Sequence, residues 1–220
     1  TVHFALVPVA QTANWWTRNP GTFQGWLSNA EEYMAALAHD GVYIYNGPEL
    51  LAEGLAAGEY LYYRTDHHWT PRGAYRIVAA MMARQGLPVT DFDDYRYTVN
   101  GGYLGSIYSE NPTAALRAMA DDIEIPSSLG PVRSYLLRNL TQQNEIQYMA
   151  YDYANYLAFL RGTQTPWRRI VTGFHTGRNC LVVTDSFGNC FAPYLLPYYD
   201  EVHMVDLRKG YFSEEEAGAT

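Results

Sequence analysis

The fold class of this chain is indicated first by the stretch Leu181-Val182-Val183-Thr184-Asp185-Ser186-Phe187-Gly188. The apolar run predicts a central strand over 179–184, and the following residues predict a helix over 189–196. Ser186 then lies at the carboxyl end of the strand, in the crevice where parallel α/β proteins bind ligands. The following helix would direct its positive dipole end at the site, which suits an oxyanion. Alternatively, Ser186 only caps that helix, a task that Asp185 could perform instead.

A second stretch with chemical content is Thr65-Asp66-His67-His68-Trp69-Thr70-Pro71. Together with Ser186 it supplies an attacking hydroxyl, a base that deprotonates the hydroxyl and an acid that orients the base. Side chains two apart on an extended segment point the same way. We therefore expect Asp66 and His68 to face the serine and His67 to face elsewhere.

Two other interpretations of this stretch remain open. One is a polar loop that leads into a helix, with Trp69 packed beneath it. The other is a metal site built on His67, His68 and the adjacent carboxylate, with His175 or His203 as additional ligands. Adjacent histidines on an extended segment point in opposite directions and chelate poorly, so the sequence disfavours a metal.

The remaining chain alternates strand-like and helix-like segments, which is typical of a three-layer α/β domain. The clearest segments are strands at 4–9, 42–45, 167–172 and 201–207, and helices at 26–38, 48–57 and 72–85. The last of these helices begins with Thr70 as N-cap and proline in the first position. Residues 89–155 show short strand-like segments between loops. We interpret them as a partly β insertion in a single domain over 1–220, forming one wall of a substrate cleft.

Composition limits the choice of partner and compartment. The net charge of −8 argues against nucleic acid as a partner. Cys180 and Cys190 flank the serine strand and do not make a disulfide scaffold, and a buried free thiol is favoured for Cys190. No run is long or apolar enough to span a membrane, and no signal peptide is present. Because residue 1 falls almost inside a predicted strand, we expect an anchor or signal upstream.

The two stretches together resemble the bacterial DHHW family, which takes its name from the tetrapeptide at residues 66–69. The resemblance continues in Leu181–Leu195 and in Val205-Asp206-Leu207-Arg208. That family is similar to the SGNH-type acetyltransferases that modify alginate and other exopolysaccharides. The resemblance implies an SGNH-hydrolase-like, flavodoxin-like parallel sheet. Because the Asp/His motif precedes the serine, the fold would be circularly permuted.

The resemblance also implies roles for individual residues. Asp66 would be the acid, His68 the base and Ser186 the nucleophile. Gly210 would donate an amide to the oxyanion hole. Arg208 would hold an anionic group or an acyl oxygen, although a structural ion pair with a neighbouring carboxylate fits equally well. The asparagine expected in the oxyanion hole has no clear counterpart before Thr220.

The function implied is an extracytoplasmic carbohydrate O-acetyltransferase or esterase that modifies a cell-surface polysaccharide and needs no cofactor. If transfer is the reaction, a membrane-bound acyltransferase would supply the acetyl group. The alternative is a catalytically inactive module that binds a polysaccharide in the same cleft. Covalent capture of Ser186 would distinguish the two.

Overall fold

The computed structural model describes residues 1–13, 24–137, 142–162 and 166–209, and within 24–31 it describes only the side chain of residue 29. The strands are β1 Val2–Leu6, β2 Val42–Asn46, β3 Tyr97–Tyr103, β4 Asp121–Pro126, β5 Val132–Leu137, β6 Gln143–Ile146, β7 Trp167–Thr172, β8 Asn179–Val183 and β9 Glu201–Val205. The α-helices are α1 Gln24–Leu37, α2 Gly47–Ala56, α3 Pro71–Arg84, α4 Ser106–Glu110, α5 Ala114–Arg117 and α6 Phe187–Leu195. The predicted mixed α/β class is confirmed.

The strands of the described part form three sheets. β1 pairs with β2 in parallel, and β3 pairs with β4 antiparallel. The largest sheet has the order β6-β5-β7-β9-β8, and only its β8–β9 pair is parallel. These strands do not form the single parallel sheet that was predicted. Parallel neighbours need a crossover connection. Among the described residues only two strand pairs are parallel, β1–β2 and β8–β9, and a helix lies between the two strands of each pair along the chain.

The strand that precedes Ser186 differs from its prediction in position. β8 lies at an edge of its sheet, not at the centre, and every second residue of it is exposed. β5 was not predicted at all. With β6 it extends the sheet that contains β7, β8 and β9, so two of the four strands of the interpreted insertion belong to that sheet.

Two helices begin just after the predicted site residues. Helix α3 begins as predicted, because Thr70 accepts a hydrogen bond from the Gly73 amide at 3.4 Å and Pro71 loses no amide bond. Helix α6 is buried from Gly188 to Leu195 and packs against α3. Its apolar sequence therefore places the N-terminus of α6, and with it Ser186, beside the start of α3.

Candidate active site

The Asp66 motif lies in a bent segment that is held from several sides. Residues 64–68 are bends between Tyr62 and Trp69, which form an isolated antiparallel bridge. The buried carboxylate of Asp121 accepts hydrogen bonds from the Thr65 amide at 2.9 Å and the Thr65 hydroxyl at 2.6 Å. Because the segment is curved rather than extended, the alternation of side chains assumed from the sequence does not apply to it.

Ser186 lies on the tight turn between β8 and α6. Its side chain makes no capping bond to the helix. Asp185 performs that task, because its Oδ1 accepts the Phe187 amide at 2.9 Å. A side chain at Gly188 would bring its Cβ within 2.6 Å of Thr184 Oγ1, so the helix can start this close to the strand only with glycine there. The Ser186 hydroxyl is therefore left for another partner.

That partner is His68, and the structure brings the three predicted residues together. Ser186 Oγ lies 2.8 Å from His68 Nε2, and His68 Nδ1 lies 2.6 Å from Asp66 Oδ2. With the Nδ1 proton shared with the carboxylate, Nε2 is free to accept the serine proton. Asp66 and His68 are both buried, while Ser186 is half-buried. The arrangement offers a hydroxyl, a ring nitrogen that can accept its proton and a carboxylate that orients the ring.

The local contacts keep Asp66 ionised. Burial alone would raise its pKa, but the hydrogen bond and charge of His68, together with the Ser106 amide at 2.8 Å from Oδ1, hold the pKa well below its usual range. Ser106 can approach because Gly105 precedes it. A Cβ at Gly105 would lie 2.6 Å from Asp66 Oδ1 and 2.7 Å from Asp66 Cγ.

His67 lies elsewhere than predicted. Its ring centroid is 3.8 Å from that of His68, and its Nδ1 lies 2.6 Å from Ser106 Oγ and 3.6 Å from Asp66 Oδ1. The expectation that His67 faces away from the site was therefore wrong, because the segment bends. Burial and the neighbouring His68 lower the pKa of His67. Asp66, His67 and His68 also place one possible metal ligand each within 4.8 Å of one another.

The two motifs are joined by a further hydrogen bond. Trp69 is buried, and its indole Nε1 donates to the Phe187 carbonyl at 3.1 Å. Its ring contacts Phe187 edge-on and stacks near Phe191. Trp69 therefore holds the start of helix α6 next to His68, so the fourth residue of the motif has a structural role.

Comparison with known proteins now places the chain. The sequence matches a family model described as DHHW protein over residues 37–205. This chain belongs to the DHHW family. A DHHW family protein from Eubacterium siraeum is 24% identical, with a TM-score of 0.76 over 96% of this chain and 71% of that chain. A comparison with curated proteins found no match.

Bacillus cereus PatB1 shares the fold more distantly. It is 16% identical, with a TM-score of 0.63 over 96% of this chain and 75% of that chain. A second structure of PatB1, with a sulfonyl adduct, is 14% identical, with a TM-score of 0.65 over 96% and 74%. The DHHW fold of this chain therefore extends to proteins with little sequence identity.

Two other residues, Arg208 and Gly210, were assigned roles from the DHHW resemblance. The Arg208 guanidinium is bound by both carboxylate oxygens of Asp206, at 2.9 and 2.6 Å, and its side chain is 56% exposed. The structure thus shows the ion pair that was the alternative role for Arg208. Gly210 lies outside the described residues.

Sequence reasoning missed several residues around the DHHW tetrapeptide. Asp121, Gly105 and Ser106 hold the motif loop, and Tyr156 covers one face of His68. Asp121, Gly105 and Ser106 come from the interpreted insertion over 89–155, and Tyr156 follows it directly, so all four lie far from the motif in sequence. Asp121 gave no distinct signal in the sequence, because it stands beside Asp122 ahead of the predicted strand over 123–126, and only the structure shows that it is buried.

Proposed function

We propose that this chain is a carbohydrate O-acetyltransferase or acetylesterase in which Ser186 is the nucleophile, His68 the base and Asp66 the orienting acid. The observation that carries the proposal is the unbroken chain of hydrogen bonds from Asp66 through His68 to Ser186. Each member has the atom that its role requires at hydrogen-bonding distance.

The reaction follows from this arrangement. His68 Nε2 takes the Ser186 proton as Oγ attacks the acyl carbon, and the resulting imidazolium is stabilised by ionised Asp66. His68 then gives the proton to the leaving oxygen, and an acyl-serine remains. In the second half, His68 takes the proton of a sugar hydroxyl or water as the oxygen attacks the acyl carbon, and then gives that proton to the departing Ser186 Oγ.

The negative oxygen of the tetrahedral intermediate needs hydrogen-bond donors. Among the described residues, nothing accepts a hydrogen bond from the Ser186 amide, so that group is a candidate donor. The N-terminus of α6, which begins at Phe187, adds its positive dipole end. Gly210 is retained as a proposed second donor on the basis of the family resemblance.

The choice of substrate and setting is part of the proposal. The resemblance stated above supports four parts of the proposal. They are acetyl as the acyl group, a cell-surface polysaccharide as the acceptor, a membrane-bound acyltransferase as a possible donor, and a location outside the cytoplasm. The same resemblance supports the circularly permuted SGNH-hydrolase-like fold. No helix within the described residues has the length and apolar character to cross a membrane.

The proposal is tested by covalent capture. A fluorophosphonate and an arylsulfonyl fluoride, the latter suggested by the sulfonyl adduct of PatB1, are incubated with the wild type, and the adduct is located by peptide mass spectrometry. We expect one equivalent on Ser186, no adduct in Ser186→Ala, and labelling slowed at least about 10²-fold in His68→Ala. Wild-type protein that stays unlabelled would favour the binding module. Hydrolysis and transfer are separated by following p-nitrophenyl acetate with and without an added polysaccharide acceptor.

A metal-dependent enzyme is the second candidate, because Asp66, His67 and His68 place possible ligand atoms near one another. In the structure, Nδ1 of each histidine is already engaged, with Ser106 and Asp66 respectively. Activity that disappears with EDTA and returns with zinc would favour this candidate. Activity that resists EDTA would favour the triad.

A further inference from the structure

The imidazole of His68 lies between two other rings. The Tyr156 ring centroid is 3.7 Å from that of His68 with the planes 10° apart, and the His67 centroid is 3.8 Å away with the planes 37° apart. Two rings at such short distances cannot share one face of an imidazole. Tyr156 and His67 therefore cover opposite faces of His68, and the ring can neither tilt nor rotate without displacing one of them.

Of these two rings, Tyr156 is the more firmly held. Its side chain is buried, and its ring makes edge-on contacts with Tyr63 at 6.4 Å and with Phe159 at 5.1 Å. It begins a 3-10 turn, Tyr156–Ala158, whose first turn is capped by the Asn155 side chain. The ring therefore forms a fixed wall against which the imidazole rests.

The hydroxyl of the same tyrosine reaches the nucleophile. Tyr156 Oη donates a hydrogen bond to the Ser186 carbonyl oxygen at 3.2 Å. One side chain thus contacts the ring of His68 and the backbone of Ser186. These are the two groups between which the proton must move, and their separation of 2.8 Å depends on both being held in place.

Resting on the function proposed above, we propose that Tyr156 is the positioning residue of the catalytic pair: its ring fixes the plane of His68 and its hydroxyl fixes the backbone of Ser186. The electron-rich face of the ring also favours a cation, so the contact strengthens when His68 becomes an imidazolium in the reaction. This second effect acts in the transition state and raises the turnover rate more than substrate affinity.

The test separates the ring from the hydroxyl. Tyr156→Phe keeps the stacked ring and removes the hydrogen bond, whereas Tyr156→Leu keeps apolar volume and removes the ring. Tyr153→Leu, a change of another tyrosine in the same segment that touches none of the three catalytic residues, is the matched control. All variants are first checked for folding by circular dichroism and thermal unfolding.

Two measurements are made on each folded variant. The rate of Ser186 labelling and the kcat and KM for p-nitrophenyl acetate report on the reaction. We expect kcat of Tyr156→Leu to fall roughly 10- to 100-fold with KM nearly unchanged, and that of Tyr156→Phe to fall less than about 10-fold. The ring-proton signals of His68, assigned by their loss in His68→Ala, report on stacking by NMR. An upfield shift is expected in wild type and Tyr156→Phe and is lost in Tyr156→Leu.

The outcomes distinguish this inference from the function on which it rests. Wild-type protein that neither labels nor turns over overturns the function, and with it the role of Tyr156. Wild-type activity together with an unchanged kcat in Tyr156→Leu overturns the positioning role alone. A His68 signal that does not change in Tyr156→Leu overturns the stacking contact, independently of any activity.

Discussion

Replacing Gly105 with alanine should disable the site by moving the acid. The backbone at Gly105, with φ of −90°, is open to any residue, so the requirement for glycine there is purely steric. The added Cβ would lie 2.7 Å from Asp66 Cγ and closer still to Asp66 Cβ, so the displacement worked from Cγ is a minimum. Because non-bonded carbons prefer about 3.5–4.0 Å, the carboxyl group must move by roughly 1 Å. A displacement of that size cannot preserve the 2.6 Å contact between Asp66 and His68, so the hydrogen bond is distorted or lost.

The expected loss is large because His68 would no longer be oriented. A displacement of roughly 1 Å costs about 10²-fold in rate, and the overpacking costs about 1–3 kcal/mol of stability. The rate of fluorophosphonate labelling at Ser186 measures the first effect, and urea denaturation measures the second. The control is Gly102→Ala, where φ is +85° and no atom lies within 4 Å of the added Cβ. This variant should lose stability by about 1 kcal/mol through backbone strain and keep its labelling rate.

A folded Gly105→Ala protein that labels at the wild-type rate would refute this reasoning. It would mean that the loop yields to the methyl group without disturbing Asp66. A labelling rate that falls equally in both alanine variants would show that lost stability, not the displaced carboxylate, is responsible.

Two further predictions concern the motif itself. His67→Ala should lower the free energy of unfolding by about 1 kcal/mol, through the lost bond to Ser106, and reduce kcat less than about 10-fold. His68→Ala should keep the fold and lose at least about 10³-fold in kcat. An inactive His67→Ala protein would mean that His68 is not the base. Asp66→Asn should make the free energy of unfolding fall less steeply as the pH is lowered. The pKa of Asp66 is lower in the folded than in the unfolded state, so its contribution is complete above about pH 5 and is lost as pH falls below that value. Urea titrations at pH 7 and pH 3 that show equal losses for wild type and variant would contradict this.

The sequence predicted elements well where the signal is local. Helix α3 was predicted with its cap because threonine followed by proline has a defined meaning at a helix start, and β7 was predicted with its observed bounds, Trp167–Thr172. The pairing of strands was not predictable in the same way. β7 pairs with β5 and β9, and nothing within the sequence of β7 states whether those neighbours run parallel or antiparallel to it.

The residues of the candidate site that lie in short sequence motifs were predictable. The positions of Asp66, His68 and Ser186 follow from two motifs whose meeting a known family pattern suggested. The placement of His67 was missed because a strand-like alternation was assumed for a segment that bends around Asp121. Tyr156 could not be found either, because in a chain with 20 tyrosines its residue type carries no information about what its ring touches.

The long separation in sequence between the two motifs affects the synthesis and folding of the protein. The His68–Ser186 and Trp69–Phe187 bonds each join residues 118 positions apart. Closing a loop of that length costs roughly 4 kcal/mol of chain entropy, so we expect these contacts to form late in folding. A ribosome that adds about 5–20 residues per second delivers the serine roughly 6–24 s after the histidine. Throughout that interval the nascent chain holds His68 and Asp66, the proposed base and acid, but lacks Ser186. Under the proposed mechanism, a chain that ends before Ser186 therefore cannot attack an ester, and Ser186 gains its base only when folding brings it to His68.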